Sequence, residues 1–126
     1  MKKGSAVVLA ALVGFSCGAA AALVANAQGK APAYTFAGIE VTEAATFQKY
    51  AEATRSSIPA AGGRYVVRGG KTFVVNGTSP KQVVLIQWES FEKAKAFFGS
   101  DSYKELVPIR DKGSNFRAFV IEGITP

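Results

Sequence analysis

An α+β domain of order β-α-β-β-α-β, its helices laid on one antiparallel sheet, is the fold this sequence predicts, and three observations predict it. Tyr34–Val41 and Gln82–Trp88 are runs of β-branched and aromatic residues, the composition of inner strands apolar on both faces. Each leads into a segment whose apolar residues recur at three- and four-residue spacing, the period of a helix with one buried face. Gly62-Gly63 separates the first of these segments from a short strand, Arg64–Arg68, and Asn115–Glu122 supplies a strand at the end.

The chain opens with Met1-Lys2-Lys3, an uncharged apolar run from Ala6 to Cys17, and Ala25-Asn26-Ala27 ahead of Gln28. These are the three parts of a secretory signal peptide, so residues 1–27 are expected to be cut away between Ala27 and Gln28, releasing the domain into the periplasm or medium. The competing expectation is a retained membrane anchor, because Gly4 to Asn26 carries no charge and about 20 apolar residues span a bilayer. Cys17 is a poor lipidation site, since Gly14 and Phe15 stand where leucine and a small residue are wanted. Residues 28–32 read as a short flexible leader and 33–124 as the domain itself.

Thr42 is expected to cap the first helix, with Glu43 placed where the helix dipole favours a negative charge. Phe47, Tyr50, Ala51, Thr54 and Ile58 form its apolar face, and Gln48, Lys49, Glu52 and Arg55 fall elsewhere on its surface. Pro59 disfavours helical geometry at Ile58, so the helix either ends near Ser57 or takes one last, kinked turn through Ala61. In the next strand, Tyr65 and Val67 are expected on one face and Arg64, Val66 and Arg68 on the other, a half-polar pattern suited to a sheet edge. Gly69-Gly70 suggests a bulge, after which Thr72–Val75 continues extended until Asn76-Gly77 turns the chain. Asn76-Gly77-Thr78 also has the form of a glycosylation sequon, although Asn-Gly is the commoner turn signal.

Ser90 caps the second helix, whose buried face is Phe91, Ala94, Phe97 and Phe98. Ser100-Asp101 starts another helical piece through Tyr103 and Leu106, disturbed by Pro108 and stopped near Gly113. The whole order is that of a ferredoxin-like split β-α-β sandwich.

Composition excludes much chemistry. The sequence has no histidine, and its one cysteine, Cys17, lies in the export segment. The mature domain therefore cannot build a Ser-His-Asp triad, a cysteine nucleophile, a histidine-ligated haem, an ordinary zinc site or a disulfide. No cofactor and no metal are expected. Lys2 and Lys3 of the 15 basic residues precede the cut and all 9 acids lie after it, leaving a mature charge of +4. That is ordinary solubility charge, too dispersed to point to nucleic acid as a partner, and after cleavage nothing points to a membrane.

Ile39-Glu-Val-Thr42, Gly62-Gly-Arg-Tyr-Val-Val-Arg-Gly-Gly70, Val83–Trp88 leading into Ser90, Ser102-Tyr103 and Val120-Ile-Glu-Gly123 resemble the domain of unknown function 1330 family over about residues 33 to 124. The resemblance implies a branch of the dimeric α+β barrel superfamily, in which two ferredoxin-like sheets meet to close a barrel, and hence a homodimer. The export segment departs from it, because the family is mostly cytoplasmic. The resemblance leaves the activity open.

Candidate site residues emerge from side-chain chemistry. Arg64 and Arg68, read as sharing a strand face, suit bidentate recognition of a carboxylate or phosphate; the alternative is an ion pair, with Glu40 as the partner of Arg68 across the sheet. Tyr50 and Tyr103 suit proton donation or ligand orientation, or are core residues with hydroxyls at the rim. Trp88 suits an apolar ligand pocket or plain core. Three functions stay open: binding of a small anionic or amphipathic molecule, a cofactor-independent oxygenase or isomerase using an arginine with Glu40 or a tyrosine, and a structural or partner-binding domain.

Overall fold

The computed structural model describes residues 30–126. The export segment and its cleavage site lie outside these residues. The elements are β1 (Ala33–Val41), α1 (Ala44–Ala60), β2 (Arg64–Arg68), β3 (Gln82–Trp88), α2 (Phe91–Phe98), α3 (Asp101–Lys104), α4 (Val107–Gly113) and β4 (Ser114–Glu122). The four strands form one antiparallel sheet in the order β2-β3-β1-β4, so the two most apolar strands lie inside and the half-polar β2 lies at an edge. This is the ferredoxin-like arrangement.

The cross-strand register sorts side chains between the two faces. Ala33, Thr35, Ala37 and Ile39 of β1 point the same way as Ile86 and Trp88 of β3, and all six are buried. Ala33, Ile86 and Trp88 join Tyr50 and Ile58 of α1, Ala94 and Phe97 of α2, and Tyr103 of α3 in the core cluster. The Trp88 indole Nε1 donates to the Thr35 hydroxyl at 2.9 Å, which allows both polar groups to be buried. Phe97 and Phe98 lie against Trp88 with ring centroids 5.3 and 5.8 Å away. On the opposite face Val67, Leu85, Phe36 and Phe119 pair in one row across all four strands, and Val67 and Phe119 at its ends are exposed.

Helix ends obey local chemistry where it is strong. The Ser90 hydroxyl accepts from the Lys93 amide at 3.2 Å and the Ser100 hydroxyl from the Tyr103 amide at 3.3 Å, as expected of N-caps. At the end of α1, the Gly62 amide donates to the Pro59 carbonyl and the Gly63 amide to the Ile58 carbonyl, the paired bonds of a Schellman stop. Gly62 has φ of +96°, and a Cβ on Gly63 would sit 2.7 Å from the Ile58 side chain. The first glycine permits the turn and the second permits the close approach of β2 to the helix.

Several expectations need correction. Thr42 does not cap α1. Glu43 holds the N-cap position without a side-chain bond, and the Gly113 carbonyl accepts from the amides of both Thr42 and Glu43. A tertiary contact from the end of α4 has replaced the local one. Of the two expectations for Pro59, the stop at Ser57 fails and the last turn holds, the helix running to Ala60 with Ala61 as its C-cap. Pro108 opens α4, where its missing N–H costs nothing. Residues 69–81 form no strand, and Thr72–Val75 is unpaired. Gly69 and Gly70, at φ of +75° and +111°, turn the chain out of the sheet, and the bulge lies earlier in β2.

Candidate functional site

Tyr65 pairs with Ile86, yet Val67 pairs with Leu85 and Arg68 with Val84, so Val66 is an extra residue in β2. Such a bulge reverses the alternation beyond it, because side chains on a strand repeat every two residues. Arg68 therefore joins Tyr65 on the helix-covered face, its guanidinium carbon 5.2 Å from the centre of the Tyr65 ring. Arg64 stays on the other face, where it donates to the Gln87 carboxamide oxygen. The expectation that Arg64 and Arg68 share a face fails for this reason.

The ion pair of Arg68 with Glu40 fails as well. Glu40 lies one residue beyond Ile39 in β1 and so points to the open face, where it accepts from the Asn115 side-chain amide at 2.8 Å. Arg68 is level with Val84 and hence with Ala37, three residues away and on the opposite face. The two side chains diverge.

Between α1 and the sheet lies a partly open pocket of about 100 Å³. Ile39, Val84 and Ile86 line its floor, and Phe47, Tyr50 and Ile58 of α1 its roof. Arg68 from β2 and Arg55 from α1 are the charged residues of the lining, which includes no carboxylate. Among the described residues the ion pairs are Lys93 with Glu89 and Arg110 with Asp111, so neither pocket arginine has an anionic partner there. Tyr65 lies beside Arg68: its hydroxyl donates to the Thr54 carbonyl at 3.3 Å, and the charges of Arg68 and Arg55 both bear on it. Burial raises the Tyr65 hydroxyl above its ordinary pKa, and the Thr54 bond with the Arg68 and Arg55 charges offsets only part of that rise.

A second polar group meets the pocket wall at Tyr50. The hydroxyls of Tyr50 and Tyr103 are 2.8 Å apart and buried, and Arg110 Nη1 donates to the Tyr103 oxygen at 3.1 Å. Arg110 also lies over the Phe116 ring at 4.8 Å and bonds Asp111. Burial pushes the Tyr50 hydroxyl far up, and its neighbour Tyr103 adds to the shift. Burial opposes the charge on Arg110, but Asp111 and Tyr103 outweigh it and leave Arg110 more firmly protonated. The chain Arg110–Tyr103–Tyr50 is thus a satisfied hydrogen-bonded network that stays neutral at Tyr50 and cationic at Arg110.

Of the residues singled out from sequence, Arg68 and Tyr50 meet in the pocket, and Tyr103 reaches it through Tyr50. Trp88 is 1% exposed and belongs to the core. Arg64 and Glu40 lie on the other face. Arg55, Tyr65 and Arg110 were not singled out. Arg55 stands four positions after the pocket residue Ala51, one helical turn on, which is the signal that places it at the margin of the apolar face. Among the described residues no three His, Cys, Asp or Glu side chains come together. The donors at the pocket are hydroxyl and guanidinium groups and the Gln82 carboxamide, and the charged ones suit an oxyanion better than a cation.

In fold, the chain is similar to a protein of unknown function from Rhodopseudomonas palustris, at 14% identity and a TM-score of 0.61 over 77% of this chain and 85% of that one. It is also similar to SnoaB, a cofactor-independent oxygenase from Streptomyces nogalater, at 11% identity and a TM-score of 0.53 over 76% of this chain and 96% of that one. At such identities the likeness is one of fold alone. No curated protein matches the sequence. Residues 32–124 match the family described as Domain of unknown function (DUF1330), a span that takes in every element from β1 to β4, and the chain belongs to that family.

Proposed function

We propose that this domain binds a small anionic or amphipathic molecule in the pocket beneath α1, with the apolar part against Ile39, Ile58 and Ile86 and the charge toward Arg55 and Arg68. The observation that carries this reading is a pocket lined by two arginines and no carboxylate. A guanidinium without an anionic neighbour at the mouth of an apolar cavity is the arrangement that favours an anion over a neutral ligand. Among the pocket groups with a perturbed pKa, both tyrosines, Tyr50 and Tyr65, are shifted upward, away from the range near neutrality that general acid–base work needs. Binding is therefore favoured over the oxygenase or isomerase alternative that the likeness to SnoaB raises.

The test is saturation-transfer NMR with toluene, benzyl alcohol, benzoate and hexanoate. At least one should show transfer in the wild type and lose it in Ala118→Phe, which fills the pocket from an exposed position on β4. No transfer from any of the four contradicts the reading.

The same reading makes the protein a homodimer joined through the open sheet face. Phe119 and Ile121 keep more than half of their surface exposed there, and Phe73 and Val75 in the loop before β3 keep about nine-tenths. A second copy presenting the same apolar row is self-complementary to it, as a two-fold interface requires. We also propose that the domain is exported, on the strength of Ala25-Asn26-Ala27 after the apolar run. N-terminal sequencing should find Gln28 first, and Met1 retained on membrane-bound protein would contradict it.

A further inference from the structure

We propose that the pocket selects monocarboxylates with a body of about one ring or a short branched chain, the carboxylate held between Arg55 and Arg68 and the inner end apolar. This rests on the reading of the pocket as a small-molecule site and adds the class of molecule it takes. Three observations lead to it.

The first is convergence. Arg55 comes from the helix and Arg68 from the strand, and both line one pocket. The bulge at Val66 is what turns Arg68 inward; without it this side chain would face away with Arg64. Arg68 lies 5.2 Å from the centre of the Tyr65 ring, and the charges of both arginines bear on the Tyr65 hydroxyl at that point of the lining. An oxyanion at that point meets two planar forks, each able to bind both oxygens of a carboxylate.

The second is the shortage of other charged donors, which separates carboxylate from phosphate. Phosphate sites draw on backbone amides at a helix N-terminus. Here α1 offers the pocket mouth Arg55 and Ile58, within its last two turns, where the helix dipole presents partial negative charge. The Tyr65 hydroxyl is already committed to the Thr54 carbonyl. The two guanidinium forks match the two oxygens of one carboxylate, and a dianion's third oxygen is left with the neutral Gln82 carboxamide of the lining.

The third is volume. The pocket holds about 100 Å³, less than the roughly 150 Å³ of an apolar cavity known to take one benzene molecule. With its mouth open, it fits one ring or a short branched chain whose polar end reaches out to the arginines. A fused polycyclic body does not fit.

The experiment is isothermal titration calorimetry of the domain at low salt with benzoate, benzamide and phenyl phosphate, on the wild type, Arg55→Met and Arg68→Met. Both arginines are exposed and neither has an ion-pair partner among the described residues, so both variants should fold, and thermal melts within the wild-type range check this. Benzoate should bind about tenfold more tightly than benzamide, and each methionine variant should lose about tenfold for benzoate and less than about twofold for benzamide. Equal binding of benzoate and benzamide overturns the proposed class while leaving the pocket as a small-molecule site. So does benzoate binding that neither variant weakens. Phenyl phosphate binding more tightly than benzoate overturns the choice of carboxylate. If none of the three binds, both the class and the pocket reading fall.

Discussion

Two rows of side chains cross the same four strands on opposite faces of the sheet. On one, Tyr65, Ile86, Thr35 and Val120 run beneath the helices, Ile86 and Thr35 are buried, and the polar atoms of Tyr65 and Thr35 have partners. On the other, Val67, Leu85, Phe36 and Phe119 are more uniformly apolar, yet Val67 and Phe119 are left exposed and Phe36 stacks on Phe119, at 5.4 Å. The better-covered row is the one that carries the hydroxyls, of Tyr65 and Thr35. Hydrophobic content alone thus does not identify the core. What distinguishes it is helices that supply both apolar contacts and partners for the polar groups, and the uncovered apolar face is the one we propose is covered by a second copy.

Removing the centre of the covered face should have the largest effect. Trp88→Ala deletes a side chain that is 1% exposed and touches two phenylalanine rings, and unfolding in urea should show a loss of about 3–5 kcal/mol. A loss below about 1 kcal/mol would mean that the covered face does not hold the protomer together.

Tyr103→Phe is a finer probe of the same face. It leaves the Tyr50 hydroxyl and the Arg110 guanidinium each short of one partner and should cost about 1–2 kcal/mol. An unchanged urea midpoint would show that water replaces the lost hydroxyl.

The smallest effect is a pH dependence. Tyr50 and Tyr65 have folded pKa values raised above the ordinary tyrosine value of 10.0. Above that pH the unfolded chain releases these protons while the folded chain keeps them, so stability falls as pH rises. The contribution should be complete below pH about 10 and decline beyond it, and Tyr50→Phe should flatten the decline in urea titrations at a series of pH values. A decline of unchanged slope in that variant would remove Tyr50 as its source.

Much of this architecture could be read from sequence, and the parts that could not be read have physical causes. The bounds of β3 matched because Gln82–Trp88 is an uninterrupted apolar run. Ser90, Ser100 and Gly62-Gly63 were legible because capping is local chemistry. Gly69-Gly70 drew the expected bulge because glycine is the local sign of one, whereas the residue that bulges is Val66, in a Tyr-Val-Val-Arg run with no such sign. Only the pairing with β3 fixes it. That single residue decided whether Arg68 met Arg64 or Arg55, so half of the candidate site was beyond the reach of a strict two-residue alternation. The Thr42 cap was lost in the same way, to a carbonyl from Gly113, far along the chain.

The division of labour between the faces is tested most directly by sedimentation equilibrium of the domain at micromolar concentration, wild type beside Phe119→Glu. Phe119 is 51% exposed and is not part of the pocket lining, so its replacement should leave the fold of the protomer nearly unchanged, within about 0.5 kcal/mol. The wild type should sediment with the mass of two protomers and the variant with the mass of one, because a carboxylate would be buried unpaired against its own copy. A wild type that sediments as a single protomer, or a variant that remains a dimer, would contradict the assignment of the open face to a second copy.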